Sequence, residues 1–306
     1  MRGLWPVNSG WNPGSTYVDK MKIAVLYIAT GRYSIFWPGF LASAERYLVP
    51  ATAKDYFIFT DRPKEFLVAL DRIIFTQIED APWPFPTLFR FDYFEQQAAR
   101  LINYDLIVFC NANLIFVDEI AVEEILPTPN EGLFVTLHPG YFRASRRLFP
   151  YECAQQASAA FIPAETGSIY VCGGFFGGRP DAFLELTETL SRNIRADFER
   201  GITAVWHDES HLNHYILGGV PRVLSPKFAW PSGWIRFSPP KIVVLHKRDF
   251  GGHEFMRAAT NVPARSGDLV KVFELLREPW RLVALALNFM KCMRRFPSCR
   301  IGQDGP

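Results

Sequence analysis

Near-continuous apolar runs that close on turns constrain the fold of this chain more than any other feature of it. Lys22 to Thr30 is apolar almost throughout and ends at Gly31, Arg32 and Tyr33. Tyr56 to Thr60 ends at Asp61, Arg62 and Pro63, and Arg72 to Thr76 leads into Pro82, Trp83, Pro84, Phe85 and Pro86. Leu106 to Cys110 gives way to Asn111, Ala112 and Asn113. Runs without polar alternation are strands buried on both faces, as in parallel sheets. Between them the spacing predicts helices, one carrying Phe40, Leu41, Ala44, Tyr47 and Leu48 and another from about Thr87 to Leu101. Strands alternating with helices give an α/β fold. Ligands of such sheets bind beyond the carboxyl ends of the strands, which makes Thr30 to Tyr33 nucleotide-site candidates on position alone.

Composition excludes several classes. A chain of 306 residues with 49% apolar and 21% charged residues is not disordered and buries a sizeable core. Its net charge of +2 makes no general case for nucleic acid. Residues 265–306 hold eight basic and four acidic residues, so the positive charge is in the tail. Five cysteines without paired spacing argue against a secreted disulfide framework. There is no apolar stretch of about 18 to 20 residues and no apolar run at the start of the chain, so a cytoplasmic location is expected.

The densest polar stretch is Trp206, His207, Asp208, Glu209, Ser210, His211, Leu212 and Asn213, which follows a helix expected from Asp181 to about Arg200. Packing alone does not call for His, Asp, Glu, Ser and His in sequence, because each buried polar group must be hydrogen-bonded. His207 and His211, four apart, would share a helical face and suggest zinc, yet no carboxylate stands where a His-Glu-x-x-His motif puts its base. Asp208 or Ser210 capping a helix start accounts for one residue and leaves four.

The stretch Trp206 to Asn213 is similar to the signature of glycosyltransferase family 6, the retaining α1,3-galactosyl- and α1,3-N-acetylgalactosaminyltransferases. Other motifs of that family follow in its order. Leu137, His138, Pro139 and Gly140 precede the aromatics Tyr141 and Phe142; then come Tyr151 and Glu152, Ala160 to Pro163, and Gly173, Gly174, Phe175, Phe176, Gly177 and Gly178. Leu224, Ser225, Pro226 and Trp230 continue the similarity, which spans roughly residues 22–234.

The resemblance implies a GT-A fold, a Rossmann-like and mostly parallel sheet flanked by helices, with a C-terminal helical tail. The implied organisation is an N-terminal arm at 1–20, a catalytic domain at 21–260 with a nucleotide-sugar half (21–130) and an acceptor half (131–260), and a tail at 261–306. It implies a UDP-sugar donor and a β-galactoside acceptor, with or without a 2-fucosyl group. Donor contacts would come from Ile28, Ala29, Thr30, Tyr33, Trp83, Arg90, Asn111, Ala112, Asn113, Cys172, Gly173, Gly174 and Asp208. Most GT-A enzymes carry Asp-x-Asp where this chain has Asn111, Ala112 and Asn113; neutral amides do not neutralise a divalent cation. A metal-independent site, as in the bacterial branch of the family, is therefore implied, with no cofactor. Cations must then face the leaving diphosphate, and Lys247, Arg248 and Arg257 are the candidates, although the family's Lys–Arg spacing is not reproduced. Glu209 is the implied catalytic residue, and Asp208, paired with Arg90 and so kept ionised, would bind sugar hydroxyls. Acceptor contacts would come from His138, Tyr141, Phe142, Trp206, His207 and Trp230. Small residues at Cys172 and Gly174 favour N-acetylgalactosamine over galactose as the transferred sugar.

Two helices are expected in the tail, Asp268 to Glu278 and Trp280 to Arg295, the second basic and apolar enough for peripheral contact with the inner face of the cell membrane. Docking on its own domain or on a second copy is the alternative. A catalytically silent carbohydrate-binding relative and a metallohydrolase are the competing functions.

Overall fold

The computed structural model describes residues 21–66, 71–163, 165–235 and 238–257. The chain divides into two units, Met1–Pro263 and Ala264–Pro306, and every described residue lies in the first. The expected arm and tail helices, with the membrane contact assigned to them, fall outside the described residues. Among the described residues no helix is long and apolar enough to cross a membrane.

The described residues form, in chain order, β1 (Ile23–Ile28), β2 (Lys54–Thr60), β3 (Ile73–Gln77), β4 (Leu106–Asn111), β5 (Leu114–Phe116), β6 (Leu133–Leu137), β7 (Val171–Gly178), β8 (Arg222–Leu224), β9 (Trp230–Pro231) and β10 (Ile242–Val244), of which β1 to β4 are the four expected apolar runs. One sheet has the order β3-β2-β1-β4-β7-β6-β8, and a smaller one has the order β5-β10-β9. In the large sheet the pairs are parallel except the two made by β7, so β7 alone runs against its neighbours. The chain order reverses at β1, which is flanked by β2 on one side and β4 on the other. Open α/β sheets bind ligands at such a switch point. Because β7 is reversed, its first residues rather than its last reach the carboxyl edge of β1 and β4.

Helices α1 (Trp37–Tyr47), α2 (Phe85–Leu88), α3 (Arg90–Glu95), α4 (Ala98–Leu101), α5 (Val122–Ile125), α6 (Pro180–Glu199), α7 (Asp208–Tyr215) and α8 (Gly252–Arg257) complete the unit. In α1, Phe40 and Ala44 of the expected stripe are buried, as is Leu48 just after it. The single helix expected from Thr87 to Leu101 is broken into α2, α3 and α4. One break falls at Gln97 (φ −110°, ψ 7°), whose side-chain amide donates to Thr76 Oγ1 at 2.9 Å and so ties the turn to β3. Helix α6 buries Phe183, Leu186, Leu190 and Ile194, a single face at helical spacing, and packs on α3. It ends where Gly201 (φ +72°) takes the left-handed conformation and Ile202 N donates back to Asp197 O.

The glycine-rich segment is strand rather than loop. None of Gly173, Gly174, Gly177 and Gly178 has positive φ. A methyl group on Gly177 would lie 2.1 Å from Ile107 O, and one on Gly178 would lie 2.5 Å from Gly132 O. The second glycine pair thus lets strands and turns close up, and only the first reaches the carboxyl edge.

Candidate active site

A cleft of about 560 Å³ opens at that edge, within the size range of small-molecule sites. Ile28 and Asn111, side by side in the β1–β4 register, form its floor with Thr30, Ala112 and Asn113. The start of β7 supplies Cys172, Gly173 and Gly174. Tyr33, Trp83 and Arg90 line it from the first half of the described chain; His138, Trp206, His207, Asp208 and Glu209 line it from the second.

Helix α7 is fixed to β7 by Asn213. Its side-chain oxygen accepts from Val171 N (3.0 Å), and its amide nitrogen donates to Val171 O (2.9 Å) and to Glu209 O (2.9 Å). The amide therefore acts as a strand neighbour to β7 and holds the first turn of α7 against it. Just before the helix, His207 has φ +54° and ψ −125°, a conformation costly for a residue with a Cβ. Such strain persists only where its surroundings impose it, and here it sets Asp208 and Glu209 into the cleft.

Glu209 is held at both oxygens. Tyr170 Oη donates to Oε1 at 2.7 Å, and Gly173 N donates to Oε2 at 2.7 Å. Burial and the Glu209 charge push the Tyr170 phenol far above its ordinary range, so it remains a donor. Asp208 is buried, 2% exposed, with Arg90 Nε 3.0 Å from its Oδ2. The Arg90 guanidinium also donates from Nε to Thr87 O (3.2 Å) and from Nη1 to Gly173 O (2.6 Å), and it lies over the Phe109 ring. Asp208 Oδ2 is left in ion-pair contact without an aligned hydrogen bond. The expected pairing with Arg90 is present, but its expected consequence is corrected. Burial, reinforced by Glu209, outweighs Arg90 and pushes the Asp208 carboxyl up to about 7.

The other polar residues of this stretch serve the frame. Ser210 Oγ accepts from Trp206 N (3.0 Å), which ties the residue before the N-cap to the first turn, while the N-cap His207 makes no side-chain capping bond. His211 is buried with Nε2 3.6 Å from Asp197, and burial lowers its pKa to about 4. His207 instead faces the cleft, its ring 4.9 Å from that of Trp83. The two histidines therefore do not converge as zinc ligands, and among the described residues no three His, Cys, Asp or Glu side chains do so.

At the mouth, Arg257 of α8 lies over Trp83 at 4.0 Å, and its Nε is buried without a hydrogen-bond partner among the described residues. Lys247 lines the cleft and sits over the Tyr33 ring, 5.1 Å from its centre. Arg248, one residue on, is exposed and outside the cleft. Ala29 is likewise outside, buried in the sheet with its N donating to Phe59 O. Trp230 is buried at 7% exposure in β9 and does not line the cleft. Tyr141 and Phe142 do not line the cleft; the Tyr141 ring packs on His138 (4.9 Å) and Tyr170 (5.2 Å). Sequence reading missed Tyr170 and Trp234. Tyr170 had a usable signal, because it stands two and four residues before Cys172 and Gly174, on the same side of an extended chain.

A mostly parallel α/β sheet, with a buried Arg–carboxylate pair and a second pinned carboxylate beyond its strand ends, is the architecture of a GT-A-like fold. The sequence model described as Glycosyltransferase family 6 matches residues 15–247. The chain belongs to that family. It is 31% identical over 227 residues to the O-antigen biosynthesis glycosyltransferase WbnI of Escherichia coli, covering 74% of this chain and 95% of the relative. It is 33% identical over 230 residues to the histo-blood group ABO system transferase 1 of Rattus norvegicus, covering 71% of this chain and 64% of that protein. Against the globoside α-1,3-N-acetylgalactosaminyltransferase 1 of Gallus gallus the identity is 31% over 237 residues, covering 74% and 66%. The match thus spans about two thirds of the length of these animal relatives.

Proposed function

We propose that the protein is a retaining α1,3-glycosyltransferase that moves N-acetylgalactosamine from UDP-N-acetylgalactosamine to the 3-hydroxyl of a β-galactoside without a divalent metal. The observation that carries this reading is Glu209, a carboxylate gripped at both oxygens inside a cleft of nucleotide-sugar size. Breaking the anomeric C–O bond leaves an oxocarbenium-like carbon, and retention of configuration needs negative charge on its face away from UDP. Glu209 supplies that charge. Asp208 Oδ2, with no aligned hydrogen-bond donor among the described residues, accepts from a donor-sugar hydroxyl.

The leaving diphosphate is met by Lys247 and Arg257, cations at the cleft mouth; the exposed Arg248 is not needed for it. Asn113 donates its amide to Leu245 O at 2.8 Å and so holds β10 in place, a structural task where a metal-binding carboxylate would stand. The preference for N-acetylgalactosamine rests on Gly174, which leaves open the space beside the Asn111 amide, and on the small Cys172. The name of the globoside relative states the same linkage and sugar.

The test is UDP release from UDP-N-acetylgalactosamine and UDP-galactose, with and without lactose or 2′-fucosyllactose, first in EDTA and then in excess manganese. Acceptor-stimulated release that survives EDTA, and is faster with the acetamido sugar, is expected. Release only with manganese refutes the metal-free reading. Glu209→Gln is expected to abolish turnover while leaving UDP affinity intact; a Gln variant with parental turnover removes Glu209 from the chemistry.

A further inference from the structure

We propose that Trp234 is a residue on which this enzyme stacks the apolar face of its acceptor sugar, beside His138, whose contact with the acceptor the family resemblance already implies. The inference rests on the glycan-acceptor reading above and assigns to it a residue outside the motifs that led there. The tryptophan of the Leu-Ser-Pro motif, Trp230, is buried and paired to β10 through Val243, so it has no free face to offer. Trp234 stands edge-on to it, with ring centres 6.4 Å apart and planes at 88°. It lines the cleft and is 48% exposed.

The turn that carries Trp234 is fixed. Trp234 N donates to Pro231 O (3.4 Å) across Gly233, whose φ of +83° a residue with a Cβ rarely adopts. Ser232 anchors it twice, its N donating to Val244 O of β10 (2.9 Å) and its Oγ accepting from His246 N just beyond that strand (3.0 Å). The indole edge rests against the His138–Gly140 turn, 3.7 Å from where a Cβ on Gly140 would be. A large aromatic held half-exposed on a rigid turn forgoes the burial it would otherwise gain.

His138 completes the arrangement. Its Nδ1 accepts from Gly140 N at 3.0 Å, and burial lowers its pKa although Glu209 acts the other way. A neutral ring with Nδ1 occupied as acceptor carries its proton on Nε2. An aromatic plate beside one fixed donor suits a pyranose, which has an apolar face of C–H groups and hydroxyls at its rim.

The test compares Trp234→Ala and Trp234→Phe with the parent in three assays. These are the KM for the acceptor, acceptor-free hydrolysis of the nucleotide sugar with UDP affinity, and saturation-transfer NMR of methyl β-galactoside in the presence of UDP. Trp234→Ala is expected to raise acceptor KM about tenfold and to abolish saturation transfer to the ring protons. Hydrolysis and UDP affinity stay unchanged, and Trp234→Phe recovers most of the acceptor binding. Acceptor KM within twofold of the parent, or saturation transfer equal in the Ala variant, overturns the assignment, as does a parent protein that binds no galactoside. Should no nucleotide sugar turn over while the galactoside binds through Trp234, the transferase reading fails and this one stands.

Discussion

The two glycine pairs of β7 make different demands, and replacing one glycine from each with alanine separates them. A methyl on Gly177 would meet Ile107 O at 2.1 Å and Phe134 Cε1 at 2.6 Å. An ordinary C···O contact is about 3.3 Å, so β7 must move by roughly 1 Å from β4. That shift costs the overpacking term of about 1–3 kcal/mol and weakens the neighbouring ladder bonds, each worth about 1 kcal/mol. A loss of about 3 kcal/mol, at about 2–4 °C per kcal/mol for a domain of this size, lowers Tm by at least about 6 °C. A methyl on Gly174 meets only the Asn111 side-chain amide, at 3.2 Å, and that group can rotate away. Gly174→Ala therefore keeps Tm within about 2 °C of the parent and shifts the donor ratio towards UDP-galactose. Thermal unfolding followed by circular dichroism reads both, and a Gly177→Ala protein melting within about 2 °C of the parent would refute the reasoning.

Tyr170→Phe removes the phenol that holds Glu209 Oε1, and kcat is expected to fall about 10- to 100-fold with UDP affinity unchanged; an unaltered kcat shows that Gly173 N alone suffices. Asp208 is raised to about 7 in the fold from 3.8, so the folded state holds a proton that the unfolded state has lost within that window. Its contribution to stability is accordingly greatest at the acid end and declines as pH rises from about 4 through about 7, and melting of the ligand-free protein across pH 5–8 should depend on pH less in Asp208→Asn than in the parent. Equal slopes would count against it. Arg257→Ala should weaken UDP binding about tenfold without altering Tm, as measured by calorimetry, and unchanged binding would remove Arg257 from the proposed diphosphate site.

What sequence reading could recover followed from periodicity and position. The apolar runs became the parallel strands, and Thr30, Asn111 and Cys172 to Gly174 lie at the carboxyl edge because strand ends are where an α/β sheet opens. The carboxylate pair was legible because consecutive charges have no role in a packed interior. What escaped was set by tertiary contact. Trp230 and Trp234 look equivalent in a string of letters, and only the pairing of β9 with β10 decides which indole is buried. Lys247 and Arg248 are adjacent, and only the local turn sends one into the cleft and the other to solvent. Asp208 was read through its partner Arg90, whereas complete burial outweighs that partner. Nothing in the motif Gly173 to Gly178 separates its two glycine pairs, because the reversal that puts the second pair against Ile107 and Gly132 leaves no local signal.

The backbone N–H that grips Glu209 belongs to Gly173, which stands between Cys172 and Gly174, the two positions we propose make room for the transferred sugar. On that proposal, altering Cys172 or Gly174 to change the donor would also pull on the peptide that holds Glu209, so selectivity and turnover would change together along this strand. Asn111 bounds the same space from β4, and no bond to Glu209 passes through it. For anyone wishing to retune which sugar is moved without slowing the enzyme, Asn111 is the place to begin a library.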